Sequence, residues 1–302
     1  MKITELKNLL FEFGKNVRFE HDLKKKNWFN IGGKSKVFYK AENLKELVDF
    51  IKKLKGKEKI FIIGAGSNTL ITDNLFDGVV IKLSRNFNNI SLLGEDIIIA
   101  GSAVLDKALS DFAINNNLSG FEFLSGIPGT IGGGIRMNAG CFGKEFKNIL
   151  LSIQAIDVFG NVITIPAEEI KFEYRKTSLA DDLVFLSASF KGIKGDKEEI
   201  KNLTNELKLK KEQAQPTRIK TSGSTFKNPI SQTKKKVWEL IKVSVPLDIS
   251  FGDACISDKH CNFFVNKGNA TFEDMSNLIN FVSKKVLEKT GISLEKEIKI
   301  LE

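Results

Sequence analysis

Histidine and cysteine are scarce in this 302-residue chain: two histidines, His21 and His260, and three cysteines, Cys141, Cys255 and Cys261. No C-x-x-C or H-x-x-x-H pair occurs and the cysteine count is odd, which argues against a zinc site or a disulfide framework. No metal is expected. Cys141 with His260 is the pairing a Cys–His nucleophile would need, and nothing in their spacing supports it. No apolar run approaches the ~20 residues of a membrane span. The N-terminus has no basic-then-apolar leader; Ile3, Leu6, Leu9, Leu10 and Phe13 instead share one side of a helix. A cytoplasmic chain with no membrane insertion is the expectation.

Proline is also sparse, with five residues, while 42% of the chain is hydrophobic and 27% charged, so a large core is available and no disorder signature stands out. The length suits two domains at ~150 residues each. A net charge of +9 raises nucleic-acid binding as a question. The lysines are spread along the whole chain, so solvated surfaces account for the charge. Nucleic acid is not expected, and anionic small molecules fit as well.

Apolar periodicity gives the coarse layout. Asn43 caps a helix carrying Leu44, Leu47, Val48, Ile51 and Leu54, with Glu46 three places on. Strands are expected at Lys59–Ile63, Val79–Leu83, Ile97–Ala100 and Leu183–Phe190, with a helix near Leu105–Ala113. Residues 149–165 read as two strands joined at Gly160-Asn161. Residues 196–211 form a charged helix and mark the boundary. Beyond it come a polar loop at Thr221–Pro229, a short helix at Val237–Val243 and a strand at Asn262–Val265. A helix from Thr271 then buries Met275, Leu278, Ile279, Val282 and Val286, and a last strand covers Glu297–Leu301. Strands and helices mix without regular alternation, which favours α+β.

Two glycine loops are the strongest local features. Gly64-Ala65-Gly66-Ser67-Asn68-Thr69 follows a strand, but Thr69 replaces the third glycine of a dinucleotide fingerprint and no helix is expected after it. A P-loop fails too, because Trp28 stands where its first glycine belongs ahead of Gly33-Lys34-Ser35. Residues 126–134, Gly-Ile-Pro-Gly-Thr-Ile-Gly-Gly-Gly, hold five glycines, enough for a backbone nest around phosphate oxygens. Thr221–Pro229 offers hydroxyls, an ammonium and an amide, and reads equally as a polar turn. Arg175 is one of only five arginines, which hints at a need for a planar guanidinium holding a carboxylate. Glu297 reads on its own as an exposed strand carboxylate.

In order along the chain stand Phe29-Asn30-Ile31-Gly32-Gly33, Gly64–Asn68, Ser125–Gly134 running into Met137-Asn138-Ala139-Gly140, and Tyr174-Arg175. Gly223-Ser224, Phe226-Lys227-Asn228-Pro229, Ser257-Asp258-Lys259-His260, Val265–Ala270 and Leu294–Ile298 follow. With these motifs the chain resembles the UDP-N-acetylenolpyruvoylglucosamine reductase family, in its shorter form. The resemblance implies an α+β fold. A vanillyl-alcohol-oxidase-type FAD-binding domain of two α+β subdomains (residues 1–197, split near 75–85) precedes a smaller α+β substrate-binding domain (198–302), whose last strand returns to the active site. It further implies noncovalent FAD, NADPH as hydride-donating cosubstrate, and UDP-N-acetylglucosamine enolpyruvate reduced to UDP-N-acetylmuramate for peptidoglycan precursors. Cell-wall biogenesis, cell shape and cell division follow as processes, and a monomer is expected.

By motif position the family's catalytic arginine falls on Arg175, its proton-donating serine on Ser224 and its C-terminal glutamate on Glu297. The FAD pyrophosphate loops fall on Gly64, Ala65, Gly66, Ser67 and Asn68, and on Gly126, Pro128, Gly129, Thr130, Gly132 and Gly133. Lys227 and Asn228 fall at substrate contacts. Trp28, Cys255, Lys296 and Phe251-Gly252-Asp253 depart from the family pattern. Two other readings stay open on sequence: an FAD-dependent oxidase of the same fold, and a non-catalytic nucleotide-sugar-binding protein.

Overall fold

The computed structural model describes residues 1–216 and 219–302; Arg218 lies outside them. Its helices are α1 (Ile3–Leu9), α2 (Leu44–Leu54), α3 (Asp106–Asn115), α4 (Ile131–Arg136), α5 (Lys197–Ala214), α6 (Val237–Ser244) and α7 (Phe272–Thr290). Two compact units result. Unit 1 is Met1–His21, Ser35–Ala65 and Asp77–Lys211; unit 2 is Asp22–Lys34, Gly66–Phe76 and Glu212–Glu302. Residue 197, after which the sequence pattern puts a boundary, begins α5, whereas the chain passes between units in the last turn of that helix, and unit 2 also takes Asp22–Lys34 and Gly66–Phe76.

Unit 1 is built on two larger sheets. Val17–Asp22, Lys34–Ala41, Phe76–Leu83 and Ile60–Ile62 form the first in that order, the last pair parallel. On it packs α2, started by the Asn43 side chain accepting the Glu46 N–H at 2.9 Å and ended at Lys55 in the left-handed region. Leu47, Phe50, Ile51 and Leu54 are its buried face, and the Phe50 ring stacks on Tyr39 with centroids 3.8 Å apart. The second sheet is antiparallel in the order Val162–Pro166, Leu150–Ile156, Val184–Lys191, Ile97–Gly101, Ile90–Leu93. Its first hairpin turns at Gly160 (φ +81°), where the Asp157 carboxylate accepts the Phe159 and Asn161 N–H groups, both at 2.9 Å. Ile98, Phe121, Phe146, Ile153 and Phe190 fill the core on this sheet.

Helix α4 forms inside the glycine-rich run, which sequence pattern read as a loop. Three successive glycines cost about 1 kcal/mol each in a helix. Burial of Ile131 and Ile135, both 0% exposed, offsets this at about 1.5–3 kcal/mol each. Gly134 cannot be larger: a Cβ there would lie 2.3 Å from the Phe146 ring.

Unit 2 holds an antiparallel sheet of Ser250–Phe251, Ala254–Ile256 and Phe264–Asn266. Thr69–Ile71, a strand where a Rossmann fold needs a helix, pairs in parallel with the terminal strand Lys299–Leu301. The ends of α7 are set by its sequence. Thr271 and Asp274 form a capping box at 3.1 and 2.9 Å, and Gly291 (φ +71°) closes the C-terminus. Its Met275, Leu278, Ile279, Val282 and Val286 are buried as the periodicity requires, against Phe29, Leu70, Phe226 and Phe264. Among the described residues no helix is long and apolar enough to cross a membrane, and no cluster of three metal-ligating side chains occurs.

Candidate active site

In unit 1, Arg175 sits at the tip of a two-residue hairpin, Phe172–Glu173 with Lys176–Thr177, paired Phe172↔Thr177 and Glu173↔Lys176. Its φ of +57° is a left-handed conformation that turns normally give to glycine or asparagine. The guanidinium is held from below. Nη2 donates to the Gly140 carbonyl at 2.8 Å, Nη1 lies 4.0 Å from Glu145 Oε1, and Cζ stands 4.9 Å from the Tyr174 ring centre. Gly140 and Glu145 belong to a second hairpin, Gly140–Cys141 with Lys144–Glu145, turned through Phe142 (φ +52°) and Gly143 (φ +81°). Burial pushes the Cys141 thiol up, against the opposing pull of Lys211 and Arg175. A protonated thiol is a poor nucleophile, so cysteine catalysis finds no support here.

The glycine loop of unit 1 is built for close approach. A Cβ at Gly64 would come within 2.5 Å of Thr130 Oγ1, and one at Gly132 within 3.1 Å of Ser102 Cβ. Lys82 Nζ donates to the Gly64 carbonyl at 2.7 Å. At Gly126 a Cβ would sit 2.9 Å from Cδ of Lys211, whose chain lies across the loop. The nest expected from the glycines is only partly available to a ligand. Ile131 and Gly132 donate their N–H groups to the Val104 and Ser102 carbonyls at 2.9 and 3.0 Å. The Gly129 carbonyl accepts the N–H of Asp106 at 3.2 Å. Asp106 is wholly buried with neither carboxyl oxygen hydrogen-bonded, and burial raises its carboxyl well above the ordinary range, against the field of Lys211.

Unit 2 gathers Ser224, Glu297, Lys227 and Asn228 around one backbone crossing. Residue Ser224 bridges Phe263 and Phe226 bridges Lys296. Glu297 donates its N–H to the Thr225 carbonyl at 2.8 Å, and Asn68 Nδ2 donates to the Glu297 carbonyl at 3.1 Å. Asn262 pins the crossing: its Oδ1 accepts from Phe226 N–H at 3.1 Å and its Nδ2 donates to Phe226 O at 2.9 Å. Three neighbouring hydroxyls are thereby told apart. Ser222 is buried and donates to the Thr69 carbonyl at 3.2 Å, Thr225 is 0% exposed, and Ser224 is the one left half-exposed. The Lys227 ammonium pairs with Glu295 at 2.5 Å, and Asn228 Oδ1 accepts the Val237 N–H at 3.0 Å. Gly66 (φ +69°) accepts the N–H of Trp28 at 3.0 Å, and a Cβ there would strike the Lys26 carbonyl at 2.1 Å. Of the departures from the family pattern, Trp28 is 43% exposed and Cys255 is buried in its strand.

Sequence reasoning passed over Glu145, Lys211, Asp106 and Asn262. Asn138 it saw only as part of a motif, without a role.

A family model described as "UDP-N-acetylenolpyruvoylglucosamine reductase, C-terminal domain" matches residues 215–301, and one described as "FAD binding domain" matches residues 35–166. A UDP-N-acetylenolpyruvoylglucosamine reductase of Pelagibacter ubique (strain HTCC1062) is 66% identical over 301 residues, covering 100% of both chains. The chain belongs to the UDP-N-acetylenolpyruvoylglucosamine reductase family. A member from Rickettsia bellii (strain RML369-C) is 45% identical over 282 residues, 93% of this chain and 92% of that one. The crystal structure of the Thermus caldophilus reductase superposes with a TM-score of 0.79 at 29% identity, covering 95% of this chain and 98% of that one. The fold is accordingly α+β, a vanillyl-alcohol-oxidase-type FAD-binding domain joined to the family's C-terminal domain.

Proposed function

We propose that this chain reduces the enolpyruvyl group of UDP-N-acetylglucosamine enolpyruvate to UDP-N-acetylmuramate, using NADPH and noncovalent FAD, in the synthesis of peptidoglycan precursors. The carrying observation is identity over the full length with a reductase of that name, together with an FAD-binding domain in the first part of the chain. The oxidase and the non-catalytic readings are not favoured by that membership. Residues 1–197 are read as the FAD-binding part and 198–302 as the substrate-binding part. The finer setting is a cytoplasmic monomer serving cell-wall biogenesis, cell shape and division.

The residues of unit 1 fit a diphosphate-bearing cofactor. Around Gly64, Gly132 and Gly133 the chain offers backbone and the Thr130 hydroxyl in place of bulk. A Cβ at Gly133 would have Thr130 Oγ1, 3.7 Å away, as its nearest neighbour. By motif, Gly64, Ala65, Gly66, Ser67, Asn68, Gly126, Pro128, Gly129, Thr130, Gly132 and Gly133 are the residues read as holding it.

FAD, once bound and reduced by NADPH, would supply the hydride for the terminal enolpyruvyl carbon. That addition drives electron density toward the substrate carboxylate and gives an enolate-like dianion. Arg175 is read as the group that pairs with this growing charge, a contribution of ~3 kcal/mol if it acts as one oxyanion donor. Its two-point support on Gly140 and Glu145 keeps the fork aimed without a rotamer search. Ser224 is read as the proton donor to the adjacent carbon; its hydroxyl is weakly acidic, but a carbanion is basic enough to take the proton. Glu297, its backbone fixed by Thr225 and Asn68, is read as orienting the substrate.

The test is anaerobic. The purified protein is expected to be yellow, to bleach with NADPH, and to regain its flavin absorbance when the enolpyruvyl nucleotide is added. Reoxidation by oxygen or a hydroxy acid with none by that nucleotide would overturn the reading, as would colourless protein that takes up no FAD.

A further inference from the structure

Asn138, in the motif Met137-Asn138-Ala139-Gly140, is 0% exposed and sits just past α4 with φ +40°, its N–H donating to the Ile135 carbonyl at 2.9 Å. Its side-chain amide makes three bonds. Nδ2 donates to Glu145 Oε2 at 3.0 Å and to the Glu173 carbonyl at 3.1 Å, and Oδ1 accepts the Lys147 N–H at 3.1 Å. The two partners of the nitrogen are acceptors and the partner of the oxygen is a donor, so the amide has only one chemically consistent orientation.

The bonds span two hairpins. One carries Gly140 and Glu145, which hold the Arg175 guanidinium; the other carries Glu173, two residues before Arg175 itself. Lys147 Nζ also pairs with Glu145 Oε2 at 2.9 Å, leaving Oε1 as the oxygen nearer Arg175. Arg175 holds a backbone conformation it adopts reluctantly, which persists only where surrounding structure over-determines it.

We propose that Asn138 is a positioning residue for Arg175: its amide locks the Glu145 carboxylate and the Glu173 backbone into the spacing that aims the guanidinium. The proposal rests on the reading of Arg175 as the group that meets the developing charge. It says nothing of Asn138 touching substrate or cofactor.

Asn138→Gly is the informative variant, because glycine keeps the left-handed backbone available while deleting the amide. Three quantities are read: bound flavin, the rate of flavin reduction by NADPH, and the rate of anaerobic reoxidation by the enolpyruvyl nucleotide. Reoxidation is expected to fall about 10–100-fold, the scale of a reacting group misplaced by about 1 Å, with the other two readings held within about twofold. Asn138→Asp adds a pH signature. Its ionised carboxyl faces Glu145 and donates nothing; when protonated it donates one O–H, so its reoxidation rate relative to wild type is expected to recover as pH is lowered from about 8 to about 5.5. This second variant decides the matter if Asn138→Gly is isolated without flavin. Arg175→Lys is measured alongside. Slow reoxidation in Arg175→Lys with a wild-type rate in Asn138→Gly would overturn the proposal alone. A wild-type rate in Arg175→Lys would overturn both it and the reading beneath it. Equal losses in all three readings for Asn138→Gly, with no recovery of Asn138→Asp at low pH, would make Asn138 merely structural and also overturn it.

Discussion

Arg175 occupies a turn position better suited to glycine, so replacing it with glycine separates what the residue costs from what it does. The left-handed conformation at φ +57° costs a non-glycine residue ~1–2 kcal/mol, which Arg175→Gly relieves. Against that stands the charged hydrogen bond to Gly140, about 1.5 kcal/mol at this partly exposed site. The contact with the Tyr174 ring is worth about 0.5 kcal/mol, and the entropy of an added glycine about 0.5–1 kcal/mol. The net is a destabilisation of about 1 kcal/mol, a shift of about 2 °C in Tm for a chain this size. Arg175→Ala loses the same contacts and keeps the strain. Arg175→Gly is therefore expected to be more stable than Arg175→Ala by about 1 kcal/mol, the reverse of their ordinary order. Both should lose ~100-fold or more in reoxidation by the enolpyruvyl nucleotide. Denaturant melts of the two variants check the first part and stopped-flow absorbance the second. Alanine equal to or more stable than glycine would refute the strain. A glycine variant reoxidising within about tenfold of wild type would refute the role.

Ser224→Ala is expected to keep its flavin and its reduction by NADPH while reoxidising very slowly, whereas Ser222→Ala and Thr225→Ala, whose side chains are buried, should cost stability before rate; a wild-type rate in Ser224→Ala assigns the proton to another donor. Asp106, whose carboxyl burial raises, costs the fold less protonated than ionised. Wild-type stability relative to Asp106→Asn should fall as pH rises from the ordinary carboxylate range toward its raised folded value, by about 1.4 kcal/mol per pH unit, and level off above it. Parallel Tm-versus-pH curves for the two proteins would show that the Asp106 carboxyl titrates alike in the folded and unfolded chain and is not raised by burial.

Elements with strong local signals were legible in the sequence. Asn43 and Glu46 at α2, the Thr271–Asp274 box at α7 and Gly160 in its hairpin stand where capping and turn chemistry put them. Helix α4 was not legible, since its glycines argue for a loop; the burial of Ile131 and Ile135 and the Phe146 ring over Gly134 decide otherwise, and both are tertiary effects. Nor does local pattern reveal that Thr69–Ile71 pairs with the chain's last strand. At the site, scarcity of arginine singled out Arg175, but its positive φ carries no sequence signal. Ser222, Ser224 and Thr225 look alike as a string and differ only in burial. Asn138 acts on residues 7 and 35 positions away, beyond the reach of any periodicity.

Among the described residues, seven that are not glycine take positive φ: Glu20, Asn30, Lys55, Asn117, Asn138, Phe142 and Arg175. Lys55 ends a helix, and asparagine enters the left-handed region more readily than most residues. Glu20, Phe142 and Arg175 have neither excuse; Glu20 lies in the strand Val17–Asp22, while Phe142 and Arg175 stand at the turns of the two hairpins that Asn138, just before the first of them, bonds through Glu145 and Glu173. Strain gathered in one place needs a network able to hold it, and this is where the buried amide bonds lie. By backbone conformation alone, glycine would suit position 175 better. The hairpin keeps an arginine there, stacked on its neighbour and propped on a carbonyl and a carboxylate, so the contacts that offset its backbone strain are the same ones that aim the guanidinium.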